Sequence, residues 1–254
     1  MHVPEIAHPA RSVDRYRPRS STGSGLYAHV VDIIGQEIIN GELPVGTIVF
    51  AEQLCERLGV SRSVVRESIR TLGSMGLVEA RPQVGTRVQP QSNWDLLNPH
   101  VVKWRGQGPD YVLQMQQLLE VRLGIEQAAA RLAAERIQPE DAQKILEMAH
   151  LMRTALAAGD RRGFFDADVV FHRLLLEGTD NAVMAQLADT VGATLDVRGG
   201  DPRPGMHDIS TESVEHHIKL AEAIVKGDSK RAQEQALLLV EGTLHEFANI
   251  PPTR

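Results

Sequence analysis

Apolar residues recur every three or four positions along most of the chain, which predicts a mostly α-helical protein. The first strong example is residues 26–40, with an apolar stripe of Val30, Ile33, Ile34 and Ile38. Such a stripe is typical of a helix that packs one face on a core. A shorter helix is predicted after it at 52–58.

The next helix, predicted from Ser61 to about Met75, carries two different faces. Its apolar positions are Val65, Ile69 and Leu72, and its basic positions are Arg62, Arg66 and Arg70. Gly59 ends the preceding helix, and the Ser61 side chain can accept a hydrogen bond from a free N–H of the first turn. An arginine face fits the DNA major groove, where guanine presents acceptors to arginine. A solvated charged surface is the alternative interpretation.

Two short β-strands are predicted after Gly76, a candidate helix C-cap, at 77–80 and 86–88. Residues 81–85 join these strands as a hairpin loop, with Gly85 near its tip. Three helices followed by a β-hairpin have the order of a winged helix-turn-helix.

Residues 91–108 are too apolar for a free linker. The apolar residues of this segment, which include both tryptophans of the chain, are Trp94, Leu96, Leu97, Val101, Val102 and Trp104. We expect a short helix here that docks one domain on the other, with the tryptophans in a core or an interface.

The remainder of the chain is predicted to be helical. The expected helices are approximately 110–135, 139–158, 160–177, 181–197, 209–227 and 229–248. Gly159-Asp160 and Gly227-Asp228 are matching breaks, since glycine ends one helix and aspartate caps the next. Short joints of this kind favour an antiparallel bundle of six to seven helices. The exception is residues 199–205, which are rich in Gly and Pro and are expected to form a mobile loop.

Composition and charge narrow the class of protein. The 254 residues include one cysteine, Cys55, which excludes an internal disulfide and fits a reducing cytoplasm. Residues 1–25 are polar and are expected to be a disordered tail, and no apolar run is long enough to span a membrane. The net charge of −6 is uneven, at +1 for residues 1–90 and −7 for 91–254. Such a chain binds DNA through a local patch rather than through bulk charge.

The N-terminal pattern resembles the DNA-binding domain of GntR-family bacterial transcription regulators. The matching positions are Gly41, Leu43, Gly46, Leu54, Gly59-Val60-Ser61-Arg62, Val65-Arg66-Glu67, Gly76-Leu77-Val78 and Gly85. The resemblance implies a homodimer whose two winged domains bind a palindromic DNA operator. It places Arg62 and Arg66 at base-reading positions, Ser61 and Ser63 at phosphate contacts, and Gly85 at the wing tip. One departure is Glu52, where many relatives have an arginine that contacts DNA.

The later part resembles the all-helical ligand-binding domain, called FCD, of the FadR-like branch of that family. The matching positions are Leu119-Glu120, Arg122, Glu126, Ala129-Ala130, Asp168, His172 and His217. The segment from Trp94 to Trp104 looks like the linker of regulators that respond to sugar acids such as galactonate and gluconate. The resemblance therefore implies a small carboxylate effector.

Asp168 and His172 lie four residues apart, so they share one face of a helix, and His217 can meet them from a later helix. A carboxylate with two imidazoles suits zinc, nickel or manganese. The family's metal-binding members supply a further histidine, whose position here is Leu239. His245 is too far along to replace it, and His216 points elsewhere on its helix. A metal-free pocket in which the same residues hydrogen-bond a sugar acid is the alternative.

Arg122 and Ser213 are further candidates for the effector site. Arg122 lies on a helix expected to be largely buried, so it needs an anionic partner. That partner is either an acidic neighbour, Glu126 or Glu120, or the carboxylate of the effector, held bidentately. Ser213 lies one turn before His217 and can face the same cavity.

Together these features predict four segments: a tail (1–25), a winged helix-turn-helix (26–90), a docking linker (91–108) and an effector-binding domain (109–250). The predicted function is a cytoplasmic transcription regulator, most often a repressor in this family, and not an enzyme. Two alternatives remain open at the level of sequence. They are a metal-dependent enzyme that acts on a hydroxy acid and an architectural DNA-binding protein.

Overall fold

The computed structural model describes residues 23–81, 84–200 and 209–248. Its N-terminal part contains three helices and three short strands. These elements are α1 (Gly23–Ile39), β1 (Ile48–Val49), α2 (Ala51–Leu58), α3 (Arg62–Ser74), β2 (Val78–Arg81) and β3 (Gly85–Val88). The order is that of a winged helix-turn-helix, as predicted, and α1 begins three residues earlier than expected.

The α2–α3 turn follows from its sequence. Gly59 ends α2 in the left-handed conformation, and the Ser61 side chain accepts from the backbone N–H of Val64. Val65 and Leu72 are fully buried in the N-terminal core, and Ile69 packs against that core. This arrangement leaves the opposite face of α3 exposed.

The sheet is antiparallel in the order β1-β3-β2, so it has one more strand than expected. With two residues, β1 is too short to show an alternating pattern in the sequence. Gly85, which was expected near the tip of the hairpin loop, is the first residue of β3 and pairs with Arg81 in the last pair before that loop. A Cβ atom at this position would lie 2.7 Å from Cγ2 of Ile48, so the close approach of that side chain favours glycine.

A linker joins this part to the helical bundle. It contains a short 3-10 helix (Gln91–Asn93) and α4 (Pro99–Gly106), which begins at the Asn98 cap. Trp104 is buried in the N-terminal core, and its indole N–H donates to Asp32 at 3.1 Å. Val102 packs on the other side against Leu118 and Ala193 of the bundle. Helix α4 therefore contacts both parts of the chain.

The bundle consists of seven helices in the described residues. They are α5 (Tyr111–Arg136), α6 (Pro139–Ala158), α7 (Arg161–Glu177), α8 (Ala182–Gln186), α9 (Ala188–Gly200), α10 (Thr211–Val225) and α11 (Ser229–Ala248). Gly159 and Gly227 have positive φ, and the aspartates after them accept from Gly163 and Arg231 as expected of caps. The main contacts that build the bundle are α5 with α11, α6 with α7, α10 with α6 and α11, and α7 with α9.

The prediction of a single helix at 181–197 is wrong, because the structure has two helices, α8 and α9, in this region. A tight turn at Leu187, whose N–H bonds to the Met184 carbonyl, separates α8 from α9. The apolar period continues through this turn, so the sequence pattern does not reveal it. Helix α9 also continues through Gly199 and Gly200, because Arg161 donates to the carbonyls of Arg198 and Gly199. These bonds satisfy groups that a helix end leaves open.

Two sequence expectations fall outside the described residues. They are the disordered tail, for residues 1–22, and the mobile loop, for residues 201–205. Among the helices that the structure describes, none has the length and apolar composition needed to cross a membrane.

Gly76 and Gly41 allow a direct test of how the linker is fixed to the N-terminal part. Both have a φ of 76°, but alanine at Gly76 would overlap the Asn93 carbonyl, whereas Gly41 faces open space. We expect Gly76→Ala to lower the free energy of unfolding by ~1–3 kcal/mol more than Gly41→Ala, because only the former adds a steric clash. Urea unfolding followed by tryptophan fluorescence measures both. If both variants lost the same free energy of unfolding, the backbone at Asn93 would move aside for the alanine without a loss of stability.

Candidate functional site

The exposed face of α3 presents three arginines in different electrostatic states. Arg70 is bound by Glu67 through contacts of 2.6 and 2.7 Å. Arg62 lies 3.7 Å from Glu52, and both side chains are largely exposed. Arg66 is exposed and forms no ion pair with any described residue. Among the three, Arg66 is therefore the one most available to an external acceptor.

Two serines lie at the N-terminus of the same helix. Ser61 and Ser63 are exposed, and their hydroxyl oxygens lie 2.9 Å apart. A helix N-terminus favours an anion, because its first N–H groups lack partners and the helix dipole is positive there. The geometry therefore suits a phosphate near these hydroxyls.

The strand β3 adds a cation that the sequence analysis did not single out. Arg87 is exposed between the buried residues Thr86 and Val88. In the predicted strand at 86–88, the period of two places Thr86 and Val88 on one face and Arg87 on the other, and this was the signal that could have identified Arg87. The Glu52 carboxylate beside Arg62 was noted as a departure, and the structure gives it a direct ionic contact.

A second cluster lies inside the bundle. Asp168 and His172 come from α7 and His217 from α10, and each is at most 3% exposed. The Nε2 atoms of His172 and His217 lie 3.2 and 3.1 Å from Oδ1 of Asp168. One potential ligand atom from each of the three side chains lies within 4.8 Å of the other two. The structure thus brings together the three residues that the sequence proposed as metal ligands.

The outer ring nitrogens of the two histidines have acceptors nearby. His217 Nδ1 lies 2.8 Å from the Ser213 carbonyl, which can only accept, so Nδ1 carries the proton. His172 Nδ1 lies 3.1 Å from Glu126 Oε2 but lacks a well-aligned hydrogen bond among the described residues. In neutral His217 the Nε2 lone pair therefore faces the Asp168 carboxylate. Two acceptors in contact need a proton or a metal cation between them.

The charges around His172 determine which protonation state is stable in the absence of a cation. Burial lowers the pKa of His172, but Glu126 and Asp168 outweigh burial and raise this pKa to about 9. Burial raises the pKa of Asp168, but hydrogen bonds to both histidines hold that pKa well below its usual range. A protonated His172 beside an ionised Asp168 is therefore the stable state near neutral pH.

Arg122 is 5% exposed and is paired within its own helix. Its Nε and Nη2 atoms donate to the two Glu126 oxygens at 2.7 and 3.3 Å. Burial opposes ionisation of Glu126, but the charges of Arg122 and His172 lower the pKa of Glu126 to about 2. Of the two anionic partners considered for Arg122, an acidic neighbour or an effector, the structure shows the acidic neighbour.

A cavity of about 10 Å³ adjoins the cluster. That is room for about one water molecule, so a larger ligand requires the walls to move. Ser213 and Leu239 line it, and Leu239 offers no ligand atom at the position where a further histidine was considered. His216 points away and lies 3.0 Å from Gln235, as expected.

Arg198 also lines this cavity, and the sequence analysis did not identify it. It is 7% exposed and belongs to the last turn of α9. No spacing pattern links Arg198 to Asp168 or His217, because the turn at Leu187 sets the direction of α9.

Two known protein families match the parts of the chain that contain the two sites. The family described as bacterial regulatory proteins, gntR family, matches residues 26–88, and the FCD domain matches residues 117–242. The first match contains the arginine face of α3, and the second contains the buried cluster.

Two relatives match over most of their length. The galactonate operon transcriptional repressor of Escherichia coli (strain K12) is 28% identical, over 87% of this chain and 96% of that protein. The HTH-type transcriptional regulator Mce2R of Mycobacterium tuberculosis (strain CDC 1551 / Oshkosh) is 30% identical, over 84% of this chain and 87% of its own length.

A solved structure supports the fold. It is described as Lar, which controls the expression of the Listeria monocytogenes agr system, and it aligns with a TM-score of 0.60 at 19% identity. The alignment covers 92% of this chain and 100% of that one. At this identity the likeness concerns the fold alone.

The buried pair of Arg122 and Glu126 has an exposed counterpart in the same helix and at the same spacing, Arg131 and Glu135. We expect Glu126→Gln to lower the free energy of unfolding by about 3–5 kcal/mol, because it leaves a buried arginine without its charge partner. Glu135→Gln is expected to cost about 0–1 kcal/mol, since that pair is solvated. Urea unfolding followed by circular dichroism measures both. A Glu126→Gln loss as small as that of Glu135→Gln would contradict this view of the cluster.

Proposed function

The chain belongs to the gntR family of bacterial regulatory proteins with an FCD domain, and on this premise we propose that it is a repressor released from its operator by a small carboxylate. Members of this family are DNA-binding transcription regulators, so the protein is a regulator and not an enzyme. The alternative of a metal-dependent enzyme acting on a hydroxy acid has no support from the family or its relatives.

The observation that carries the proposal is the buried cluster of Asp168, His172 and His217 beside a cavity that two arginines, Arg122 and Arg198, also line. Such a polar interior suits a ligand that carries both a carboxylate and hydroxyl groups. An aldonate such as galactonate or gluconate has this chemistry, and a relative is named for the galactonate operon. We therefore assign the effector to this cavity, with Ser213 on its wall.

We propose that a divalent metal, zinc, nickel or manganese, is held by Asp168, His172 and His217. A tetrahedral zinc site with bonds of about 2.0 Å separates its ligand atoms by about 3.3 Å, close to the 3.1 and 3.2 Å between Asp168 and the two histidines. A bound metal supplies a Lewis acid that attracts carboxylate and hydroxyl oxygens. Because Leu239 supplies no ligand atom, coordination positions remain for the effector. The alternative is a metal-free site in which the same residues hydrogen-bond the sugar acid.

On the DNA side, we propose a homodimer that binds a palindromic operator in the cytoplasm. Arg62 and Arg66 are assigned to base edges in the major groove, and Ser61 and Ser63 to phosphates. Gly85 is assigned to the wing that contacts the adjacent backbone. The absence of an ion pair between Arg66 and any described residue supports its role as the main reader of a guanine, since bidentate arginine contacts of this kind are the commonest specific ones.

A mobility shift on the DNA upstream of the protein's own gene tests this function. We expect the wild-type protein to bind one palindromic site and to be released by D-galactonate or D-gluconate. Arg66→Ala should weaken operator binding by ~1–3 kcal/mol and relax base preference at one position, because it removes a base contact.

Arg70→Ala is the matched control for Arg66→Ala, because Arg70 lies on the same face of α3 but is bound by Glu67. A smaller loss is expected for it. If sugar acids bind the protein but leave its DNA affinity unchanged, the proposed mode of regulation is wrong.

Metal content provides a separate test of the buried cluster. We expect the purified wild-type protein to contain about one divalent metal ion per chain, and His217→Ala to lose it, because one of three protein ligands is removed. His216→Ala is the control, since that histidine is adjacent in sequence but lies against Gln235. Elemental analysis measures the metal content per chain of the wild type and of both variants. Equal metal content in wild type and His217→Ala would rule out the assigned ligands.

A further inference from the structure

Arg198 is the second cation on the cavity wall, and its bonding is incomplete. Its Nη2 donates to Glu246 of α11 at 2.6 Å. Its Nε is buried and has no hydrogen-bond partner among the described residues. Its guanidinium carbon lies over the Phe165 ring, 5.8 Å from the ring centre. A buried guanidinium with a vacant donor is prepared for a further acceptor.

The two arginines of the cavity differ in how easily an incoming carboxylate can replace their present partner. Glu126, the partner of Arg122, is 1% exposed and is bound through both oxygens, so its displacement would leave a buried charge unpaired. Glu246, the partner of Arg198, has a side chain that is 37% exposed. When Glu246 is displaced, its carboxylate can be solvated by water. Exchange is therefore far less costly at Arg198 than at Arg122.

We propose that Arg198, rather than Arg122, binds the carboxylate of the effector, which displaces Glu246 from the guanidinium. The inference rests on the proposed function, since it takes a small carboxylate in this cavity as given. Arg122 then remains a positioning residue that holds Glu126 and, through it, His172. The Nε and Nη2 donors of Arg198 lie on one edge of the guanidinium, so they can bind one carboxylate bidentately.

The position of Arg198 connects this exchange to the rest of the fold. Glu246 ties α9 to α11, and α9 is the helix on which α4 packs. Helix α4 carries Trp104 into the N-terminal core. Loss of the Arg198–Glu246 bond therefore removes a restraint on the helix that supports the linker. In this proposal, the guanidinium of Arg198 selects the effector for its carboxylate, and the same contact acts on α9.

Calorimetric titration with D-galactonate, with uncharged D-galactitol as the comparison ligand, tests this proposal. The variants are Arg198→Met, Arg198→Lys, Glu246→Gln and the control Arg173→Met. Arg173 also pairs with a carboxylate of another helix at 2.6 Å, that of Asp189, but it lies on the surface away from the cavity. Thermal unfolding of every variant, with DNA binding, verifies that each one is folded.

We expect Arg198→Met to weaken galactonate binding by about tenfold or more, Arg198→Lys to restore part of that loss, and Arg173→Met to leave binding unchanged. Glu246→Gln should tighten binding by roughly three- to tenfold, because the competing carboxylate is gone. A purely structural role for the Arg198–Glu246 pair would not produce this gain.

Two results would overturn the inference in distinguishable ways. If the wild-type protein binds galactonate and neither Arg198→Met nor Glu246→Gln changes the affinity, Arg198 is not the carboxylate site and the proposed function stands. If the wild-type protein binds neither D-galactonate nor D-gluconate, the sugar-acid function falls and the inference falls with it.

Discussion

Charge pairing inside the bundle is the constraint on which the rest of the structure depends. Arg122, Glu126, His172, Asp168 and His217 form a chain of contacts between 2.7 and 3.3 Å, and each is at most 5% exposed. The chain joins α5, α7 and α10, and from Arg122 to Asp168 it alternates positive and negative groups. Because a buried charge without a partner is very costly, no member can leave alone. Under the proposed function, an incoming carboxylate exchanges at lower cost outside this chain of contacts, at the Arg198–Glu246 pair, where the Glu246 side chain is 37% exposed.

The buried cluster and the arginine face of α3 are not in contact, so any effect of one on the other passes through the helices between them. A ligand shifts a conformational equilibrium only by its different affinities for the two states. Of the helices that hold the cluster, α7 packs on α9, and α9 packs on α4. Helix α4 is anchored on both sides, by Trp104 in the N-terminal core and by Val102 against Leu118 and Ala193. A change in the position of α9 therefore acts on α4, which packs on α1, and α1 packs on α3.

Sequence reasoning predicted the features that local chemistry determines. The period of the apolar residues predicted the helices, and the cap residues Ser61, Asp160 and Asp228 marked where helices begin. The spacing of Asp168 and His172, with the family resemblance, led to the buried cluster. The strand β1, the break at Leu187 and the pairing state of each arginine were not predicted, because these depend on tertiary contacts. Glu126 and Glu120 were equivalent neighbours of Arg122 in the sequence, and packing alone decided between them. Arg198 was missed for the same reason, since its place in the cavity follows from the direction of α9.

The small size of the cavity has a further consequence for regulation. Its volume of about 10 Å³ holds about one water molecule, whereas a sugar acid of six carbons displaces many times that volume. Under the proposed function, effector binding therefore requires the walls of this cavity to move. A closed state that excludes the ligand provides the differential affinity that a population shift requires. In the proposed mode of regulation, the cost of opening the site reduces the apparent affinity for the effector. In the proposal for Arg198, exchange of its Glu246 partner contributes to this cost, so a substitution of Glu246 is expected to change the response while the arginines of α3 stay unaltered.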